Sequence, residues 1–312
     1  MTKADNPEVV CVGLATWDLI FLLPEPPTFE GSPSVTDFNQ EGGGPAATGA
    51  VAASRLGASS AFASRTGDDA FGDMIVEDLK TYGVEPILHR DRKKPSRLVA
   101  VLVEEETGER TFMSASDSTR MTEDDVPSRL IENADYLLVD QYHPSAAIRS
   151  AELAKKSGTK IVADVEELTG ESKRLIEAAD LPIVPRSVAE AYGGPNLRKT
   201  ALELLERGPE TVIVTLGESG CLLVQKGKAK RKESYQVEVV DTTGAGDVFH
   251  GAYIAALLKD YGFEEAAEFA SAASAINCRT LGGRSGIPTF DEVVEFLAER
   301  SSHWRSDGRI EK

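Results

Sequence analysis

The chain has 312 residues, of which 41% are hydrophobic and 27% charged, and its 34 basic and 51 acidic side chains give a formal net charge of −17. This length and apolar content suffice for a substantial core in one large domain or two smaller ones, which excludes wholesale disorder. The negative charge argues against a general nucleic-acid binder, because contacts to phosphates need clustered Lys and Arg.

The spacing of cysteines and histidines indicates no metal centre. Cys11, Cys221 and Cys278 lie in separate apolar runs, and the four histidines show no HxxxH or HExxH pattern. We therefore expect buried, reduced thiols and no structural zinc. The chain opens on a polar segment instead of a signal-peptide core, and no run approaches the ~18 apolar residues of a membrane span. These features predict a cytoplasmic protein without a membrane partner.

Short β-branched runs alternate with amphipathic helical patterns along most of the chain. The runs that read as buried parallel strands are residues 9–13, 137–140, 160–164, 181–184 and 211–217. The helical patterns include residues 70–82, 145–157 and 197–207. This alternation predicts an α/β fold with one doubly wound, mostly parallel sheet and helices on both faces.

Two segments, residues 18–40 and 96–116, carry alternating strand patterns around turns and interrupt this series. We interpret them as a small antiparallel β sheet that forms a lid over the carboxyl ends of the parallel strands, where ligands bind in such folds. A decorative edge extension is the alternative. The predicted organisation is one α/β domain over residues 1–300, with the discontinuous lid, and a polar tail over residues 301–312.

The predicted lid also suggests how two copies of the chain could associate. Two short strand pairs are too small to bury both faces of a sheet. Val99, Val101 and Val103 are expected on the face that a monomer would leave exposed. Pairing with a second copy would cover that face and the sheet edges, which predicts a homodimer through the lid. A monomer whose lid folds against its own core is the alternative.

The motif DTTGAGD at 241–247 lies between an apolar run and a helix of small residues. Backbone amides at a helix N-terminus bind anions, and those of Gly244, Ala245, Gly246 and Asp247 can face one point. A transferring phosphoryl group would fit there, with the Asp247 carboxylate as general base on an attacking alcohol. The alternative is an ordinary glycine-rich helix start with Asp247 as the cap.

Other nucleotide-binding motifs are absent. The nearest match to a Walker A loop, residues 193–200, has Arg198 at the second glycine position, and Phe249 occupies the third glycine position of a Rossmann fingerprint counted from Gly244. A second glycine cluster at 41–58 forms another tight turn into an Ala-rich helix.

With these motifs the sequence resembles the ribokinase-type (PfkB) carbohydrate kinases over nearly its whole length. The matching features are Gly13 and Asp18 near the first strand, the Gly43-Gly44 turn, GDDAFGD at 67–73, GERT at 108–111, TLGESG at 215–220, DTTGAGDVFHGA at 241–252 and GGRSGIP at 282–288. The resemblance implies ATP-dependent phosphorylation of a sugar alcohol. It assigns Asp247 as the base and residues 244–247 as the anion hole.

The resemblance also implies binding residues. For the sugar they are Asp18, Gly43 and Gly44, with Thr48 and Arg97 as further candidates; for the nucleotide they are Thr215, Gly217, Gly220 and Asn277. Asp241 and Thr243 would contribute to a monovalent cation site, K⁺ in members that have one. Glu190 would lie near Mg²⁺, the metal that accompanies ATP.

The sequence departs from the family pattern at two of these places. Thr48 stands where the family usually has Asn, and Ser187 stands where an NxxE pattern near magnesium begins, although Glu190 is kept. The run GGGPAAT and the motif around Asp247 look most like the subgroup of sulfofructose kinases and ketohexokinases. A sulfonate or phosphate on the substrate would call for a basic side chain such as Arg97 or Arg110.

The sequence thus predicts an ATP-dependent sugar kinase that acts on a fructose-like ketose or on ribose. The alternatives are a sulfofructose, 2-keto-3-deoxygluconate or nucleoside kinase, or a non-catalytic sugar- or nucleotide-binding regulator on the same fold. His250, close to the expected base, is interpreted as a helix-packing residue.

Overall fold

The computed structural model describes residues 6–28, 30–115, 118–301, 303–305, 308 and 310. Within them, the strands are β1 (Val9–Val12), β2 (Thr16–Leu23), β3 (Asp37–Gly43), β4 (Ser60–Gly67), β5 (Glu85–Asp91), β6 (Arg97–Glu104), β7 (Arg110–Ser114), β8 (Tyr136–Asp140), β9 (Lys160–Asp164), β10 (Leu181–Pro185), β11 (Thr211–Thr215), β12 (Cys221–Gln225) and β13 (Lys228–Lys232). The helices are α1 (Pro45–Arg55), α2 (Ala70–Thr81), α3 (Ser128–Asn133), α4 (Pro144–Ser157), α5 (Gly170–Ala178), α6 (Arg186–Gly193), α7 (Leu197–Leu205), α8 (Ala245–Leu258), α9 (Phe263–Asn277) and α10 (Phe290–Arg300).

Nine of these strands form one large sheet in the order β13-β12-β11-β10-β9-β8-β1-β4-β5. The pairs from β11 to β5 are parallel, and the β12–β13 hairpin adds two antiparallel strands at one edge. Apolar side chains alternate between the two faces: Val9 and Cys11 belong to one core cluster, Val10 and Val12 to the other. The predicted doubly wound, mostly parallel α/β fold is confirmed.

The elements predicted from β-branched runs and helical periodicity are present within a few residues of their predicted bounds. The five strands correspond to β1, β8, β9, β10 and β11, and the three helices to α2, α4 and α7. The sequence did not predict β5, β12 and β13. β5 and β13 carry charged side chains and are at least partly exposed, so their hydrophobic pattern is weak. β12, in contrast, is a short apolar strand that is mostly buried, and it was missed despite its apolar pattern.

The Ala-rich segment after the second glycine cluster forms α1, which packs tightly against α8. A side chain at Gly251 of α8 would collide with the backbone carbonyl of Gly49 in α1. The two backbones therefore approach more closely than larger residues would permit. This packing places the start of α8 next to the turn that precedes α1.

The remaining strands form a separate four-stranded sheet, the lid, in the order β3-β2-β6-β7. Each of its two hairpins is antiparallel, as predicted, and they join through a parallel pairing of β2 with β6. The lid begins at Thr16, two residues before the predicted boundary. Residue 29 of the first predicted lid segment and residue 116 of the second lie outside the described residues.

The prediction of which lid face is exposed was wrong. Val99, Val101 and Val103 are at most 7% exposed and pack with Ile20 and Leu281. Strand alternation identifies two faces but does not say which one meets the body of the protein. The face carrying these valines also carries Asp18, and it is this face that turns inward.

Three further expectations concern the ends of the chain and the cysteines. The three cysteines are buried and free, as predicted. In the predicted polar tail, much of which lies outside the described residues, Trp304 is buried and packs edge-on against Tyr261. In the part of the chain that the structure describes, no helix has the length and apolar character to span a membrane.

Candidate active site

A cavity of about 750 Å³ lies between the inner face of the lid and the carboxyl ends of the parallel strands. Lid residues such as Asp18 and Val99 line one side, and Asp164, Pro185 and Thr215, at the ends of β9, β10 and β11, line the other. The four-stranded sheet therefore lies over a cavity, which is the position expected of a lid.

The DTTGAGD motif forms the start of α8 at the floor of this cavity. Gly244 is the N-cap in the left-handed conformation, with φ of 71°, and within the described residues no side chain caps the helix. Asp247 is therefore not the cap, and the alternative reading of its role is wrong. The amide of Ala245 donates a 3.3 Å bond to the Thr242 carbonyl, so the amides at this helix start that remain candidates for binding an anion are chiefly those of Gly246 and Asp247.

Replacing Gly244 with Ala tests whether this turn has the described geometry. The added Cβ would lie 2.6 Å from the Gly283 carbonyl oxygen, on a backbone conformation that L-residues disfavour. We expect a loss of about 1–3 kcal/mol of stability, measured by chemical denaturation, and a fall in turnover. In the matched control Gly246→Ala the added Cβ meets no atom within 4 Å, so wild-type stability is expected. Equal stability of both variants would contradict the described turn.

The carboxylate of Asp247 faces the cavity among other acids. Burial raises its pKa well above the ordinary range, and the carboxylates of Asp164 and Glu166 raise it further, whereas His250 and Arg110 act in the opposite direction. A carboxylate of raised pKa is a stronger proton acceptor, as a general base for an alcohol requires.

The sugar-facing candidates gather at the lid end of the cavity. Asp18, Gly43, Gly44, Thr48 and Arg97 all line it. Asp18 accepts a 2.6 Å hydrogen bond from the Thr16 hydroxyl, and burial raises its pKa to about 6. A side chain at Gly43 would occupy the space of the Asp18 carboxylate, and Gly44 has φ of 98°, so both glycines are needed for the close approach.

Sequence reasoning missed a buried arginine behind this turn. Arg284 is 1% exposed; its guanidinium donates to the Gly43 carbonyl at 3.0 Å, to the Thr48 hydroxyl at 3.2 Å and to the Asp78 carboxylate at 2.5 Å. The Thr48 hydroxyl therefore accepts from Arg284, and its own proton takes no part in that bond. The signal in the sequence was the single charge within the glycine-rich run GGRSGIP.

The carboxylate of Glu41, on β3 of the lid, accepts hydrogen bonds from the loop that carries Arg284. It accepts from the backbone amides of Arg284 and Ser285, at 2.9 and 3.1 Å, and from the Ser285 hydroxyl at 2.6 Å. At the opposite end of the lid, the Arg110 guanidinium donates to the Thr242 hydroxyl at 2.6 Å. The lid thus contacts both the loop that carries Arg284 and the DTTGAGD motif.

Sequence reasoning also missed a pair of hydrogen-bonded side chains between the strand ends. The Tyr142 hydroxyl donates a 2.6 Å bond to the Glu166 carboxylate, and both side chains line the cavity. Burial raises the pKa of Tyr142, and Glu166 raises it further, so the tyrosine stays protonated and remains the donor. Arg97, whose guanidinium donates to the Ser118 hydroxyl at 3.0 Å, lines the same cavity.

Three of the four nucleotide-side candidates, Thr215, Gly217 and Gly220, line the cavity beyond Asp247. The fourth candidate, Asn277, does not line the cavity. It is fully buried behind the DTTGAGD motif, where its amide donates to the carbonyls of Thr243 and Gly283 at 3.4 and 3.3 Å. Its position therefore indicates a role in holding these two loops together.

The cation candidates lie in two places. Asp241 is buried, and its two carboxylate oxygens accept from the amides of Thr243 and Gly282 at 2.8 and 2.9 Å; Thr243 also lines the cavity. Glu190 is exposed on α6 and is not among the cavity-lining residues. No cluster of three or more potential metal-ligating side chains occurs among the described residues. This arrangement is compatible with a Mg²⁺ ion that is bound mainly by phosphate oxygens and water, because such an ion needs few protein ligands.

Comparisons with known proteins show the family to which the chain belongs. The profile of the pfkB family of carbohydrate kinases matches residues 6–290. The ribokinase of Haemophilus influenzae is 31% identical over 265 residues, covering 82% of this chain and 87% of that protein. The probable fructokinase-2 of Arabidopsis thaliana is 30% identical over 288 residues, covering 83% of this chain and 88% of that protein.

A solved structure shares the fold as well. The ribokinase of Thermotoga maritima superposes with a TM-score of 0.81 at 26% identity, over 94% of this chain and 99% of that one. These similarities include ribokinases and fructokinases and do not specify a subgroup. The chain belongs to the pfkB family and is a carbohydrate kinase, a phosphotransferase with an alcohol group as acceptor.

Proposed function

We propose that the protein transfers the γ-phosphate of Mg-ATP to a hydroxyl of a small free sugar, a fructose-like ketose or ribose, with Asp247 as general base. The observation that carries this proposal is the position of Asp247. Asp247 lies in the first turn of α8, whose N-terminus has no side-chain cap. Its carboxylate faces a covered cavity that has Asp18 at one end and Gly217 and Gly220 at the other.

The proposed reaction needs three contributions from the chain. Asp18 accepts hydrogen bonds from sugar hydroxyls and, with the backbone of Gly43, orients the sugar toward Asp247. Asp247 accepts the proton of the attacking hydroxyl as the hydroxyl oxygen bonds to the γ-phosphorus, the bond from that phosphorus to the bridging oxygen breaks, and ADP leaves. The amides of Gly246 and Asp247, at the positive end of α8, offset the charge of the transferring phosphoryl group.

The lid and the metal complete this scheme. The closed lid excludes water, which would otherwise compete with the sugar for the phosphoryl group. Mg²⁺, bound with ATP, supplies charge neutralisation at the phosphates. Asp241 and Thr243 remain our candidates for a K⁺ site, supported by their position directly before the anion-binding turn.

A free sugar is the proposed substrate because the sugar end of the cavity carries groups suited to hydroxyls. Asp18 and Thr48 offer one acceptor and one donor, and the similar proteins include a ribokinase and a probable fructokinase. Arg97 is the feature that favours a second candidate, a sugar bearing a sulfonate or carboxylate, because its guanidinium lines the same cavity.

Values of kcat/KM over fructose, ribose, sulfofructose, 2-keto-3-deoxygluconate and adenosine test this assignment. We expect fructose or ribose to give the highest value. A best value for one of the acidic sugars would favour the second candidate, and a best value for adenosine would contradict both.

We further propose that two copies associate through the outer face of the lid. Strand alternation places Phe21, Phe38, Ala100, Leu102 and Met113 on this face. Phe38 and Met113 are 48% and 53% exposed. Such an apolar face is the usual mark of an interface, and it supports the homodimer on the side opposite the valines.

The variant Met113→Asp is expected to weaken the dimer at least about tenfold, or 1.4 kcal/mol, because it would place a carboxylate in the apolar interface of an acidic protein. Light scattering over a concentration series measures this change. The control Ala191→Asp adds the same charge to an exposed position on α6 and should leave the mass unchanged. A wild-type monomer at micromolar concentration would contradict the proposed dimer.

A further inference from the structure

His250, one helical turn after Asp247, is buried in α8 at 4% exposure and lines the cavity. Its Nδ1 lies 2.7 Å from the Gly246 carbonyl oxygen, and its Nε2 lies 3.2 Å from the Ile183 carbonyl oxygen at the end of β10. Both contacts have hydrogen-bond geometry. A carbonyl oxygen can only accept, so each contact requires a proton on the ring nitrogen.

A neutral imidazole carries one N–H and therefore satisfies only one of these carbonyls. Its other nitrogen would direct a lone pair at an oxygen lone pair inside a buried site, which is unfavourable. An imidazolium donates from both nitrogens and satisfies both carbonyls. The geometry of the ring thus distinguishes its two protonation states.

The counter-charge is present at Asp164. The Oδ2 atom of this buried carboxylate lies 3.5 Å from Nδ1 of His250 and, within the described residues, has no hydrogen-bond partner. An unpartnered buried carboxylate oxygen is costly unless a cation lies beside it. A protonated His250 ring would therefore form a stabilising ion pair with Asp164.

Burial has opposite effects on the two partners. It lowers the pKa of His250 below its ordinary range, and the Gly246 carbonyl and the Asp247 carboxylate, which raise that pKa, offset this only in part. Burial also raises the pKa of Asp164, as do Glu166 and Asp140. The pair consequently shares one proton, and the two carbonyl contacts of the ring decide where it resides.

We infer that His250 is a buried imidazolium, paired with Asp164, that positions the first turn of α8 and keeps the neighbouring base Asp247 ionised. The inference rests on the proposed function, in which Asp247 is the base. His250 joins the carbonyl of Gly246 to the end of β10, so it fixes the turn that carries both the anion-binding amides and the base. It is a positioning residue.

The charge has a defined effect on the base. The charged groups that act on Asp247 are Asp164 and Glu166 from the end of β9, His250 on its own helix, and Arg110 from the lid. Removing the imidazolium leaves the two carboxylates opposed by Arg110 alone, which raises the pKa of Asp247. A carboxylate base is active only when it is deprotonated. With a raised pKa of Asp247, the pH below which activity declines would therefore be higher than in the wild type.

Nitrogen-15 NMR of the ligand-free protein tests the protonation directly. The chain has four histidines, and His250→Asn, His89→Asn and His303→Asn identify their signals. We expect the His250 ring to show two protonated nitrogens at neutral and mildly alkaline pH. A ring with a single protonated nitrogen would overturn the inference. This spectrum needs no turnover, so it remains decisive even if the proposed kinase activity fails.

The pH dependence of kcat/KM tests the positioning role. In His250→Asn the acidic limb of the kcat/KM profile should shift to higher pH by about one unit, as expected for the loss of one neighbouring charge. The KM for the sugar should change little. His89→Asn, a change at a half-exposed histidine on β5, should leave the limb in place. An unchanged limb in His250→Asn would overturn the positioning role. If that variant fails to fold, the wild-type spectrum still decides the charge.

Discussion

Replacing Asp247 with Asn is expected to lower kcat by about 10²–10⁴-fold, the usual contribution of a positioned general base. Asn is nearly isosteric and cannot accept the hydroxyl proton, so the anion-binding amides and the fold should be retained. Steady-state kinetics with the best sugar measure the loss. The KM for ATP should change little, because the carboxylate acts on the attacking alcohol and not on the bound nucleotide.

The matched control is Asp260→Asn, just beyond the other end of the same helix. Asp260 is exposed and has φ of 63°, a conformation that Asn tolerates well, so neither activity nor stability should change. Wild-type turnover in Asp247→Asn would remove the base from the mechanism. A kcat that falls equally in both variants would indicate a general effect of the substitution on the helix.

The variant Arg284→Met is expected to lose about 3–5 kcal/mol of stability, the usual cost of breaking a buried ion pair by removing one partner. Asp78 would lose its guanidinium, and the Gly43 carbonyl and the Thr48 hydroxyl would each lose a donor. Chemical denaturation measures the loss. The KM for the sugar should also rise, because the turn that carries Gly43 would no longer be fixed.

Arg92→Met provides the control for this experiment. Arg92 is paired with Asp68 at 3.4 Å, but its side chain is 89% exposed, and surface pairs contribute at most about 1 kcal/mol. Its loss should leave both stability and KM nearly unchanged. Equal effects of the two substitutions would show that the Arg284 contacts are not the source of the stability.

The sequence predicted those features that depend on local patterns. Glycines before a helix, followed by an acid, were sufficient to place the turn before α8 and Asp247 in its first turn. Alternating β-branched and amphipathic runs were sufficient for the parallel sheet, because each strand and helix carries its own periodicity. Weak, partly exposed strands such as β13 carry no comparable signal and were missed.

The remaining features depend on residues far apart in the chain. Arg284 meets the Gly43 carbonyl across 241 positions, and Tyr142 meets Glu166 across 24, so no local window contains both partners. His250 was interpreted as a packing residue because its contacts, at Ile183 and Asp164, come from other strands. The inward direction of Val101 is set by how the lid meets the body, which strand alternation alone does not reveal.

Phosphorus-31 NMR of the wild-type protein with Mg-ATP and its best sugar follows the proposed phosphoryl transfer directly. We expect equal amounts of ADP and a sugar monophosphate, with no free phosphate beyond background, because the lid excludes water from the phosphoryl group. The same spectrum recorded with Asp247→Asn should show almost no sugar phosphate in the same time. Binding of both ligands without product, or ADP accompanied by free phosphate and no sugar phosphate, would rule out the proposed transfer to a sugar.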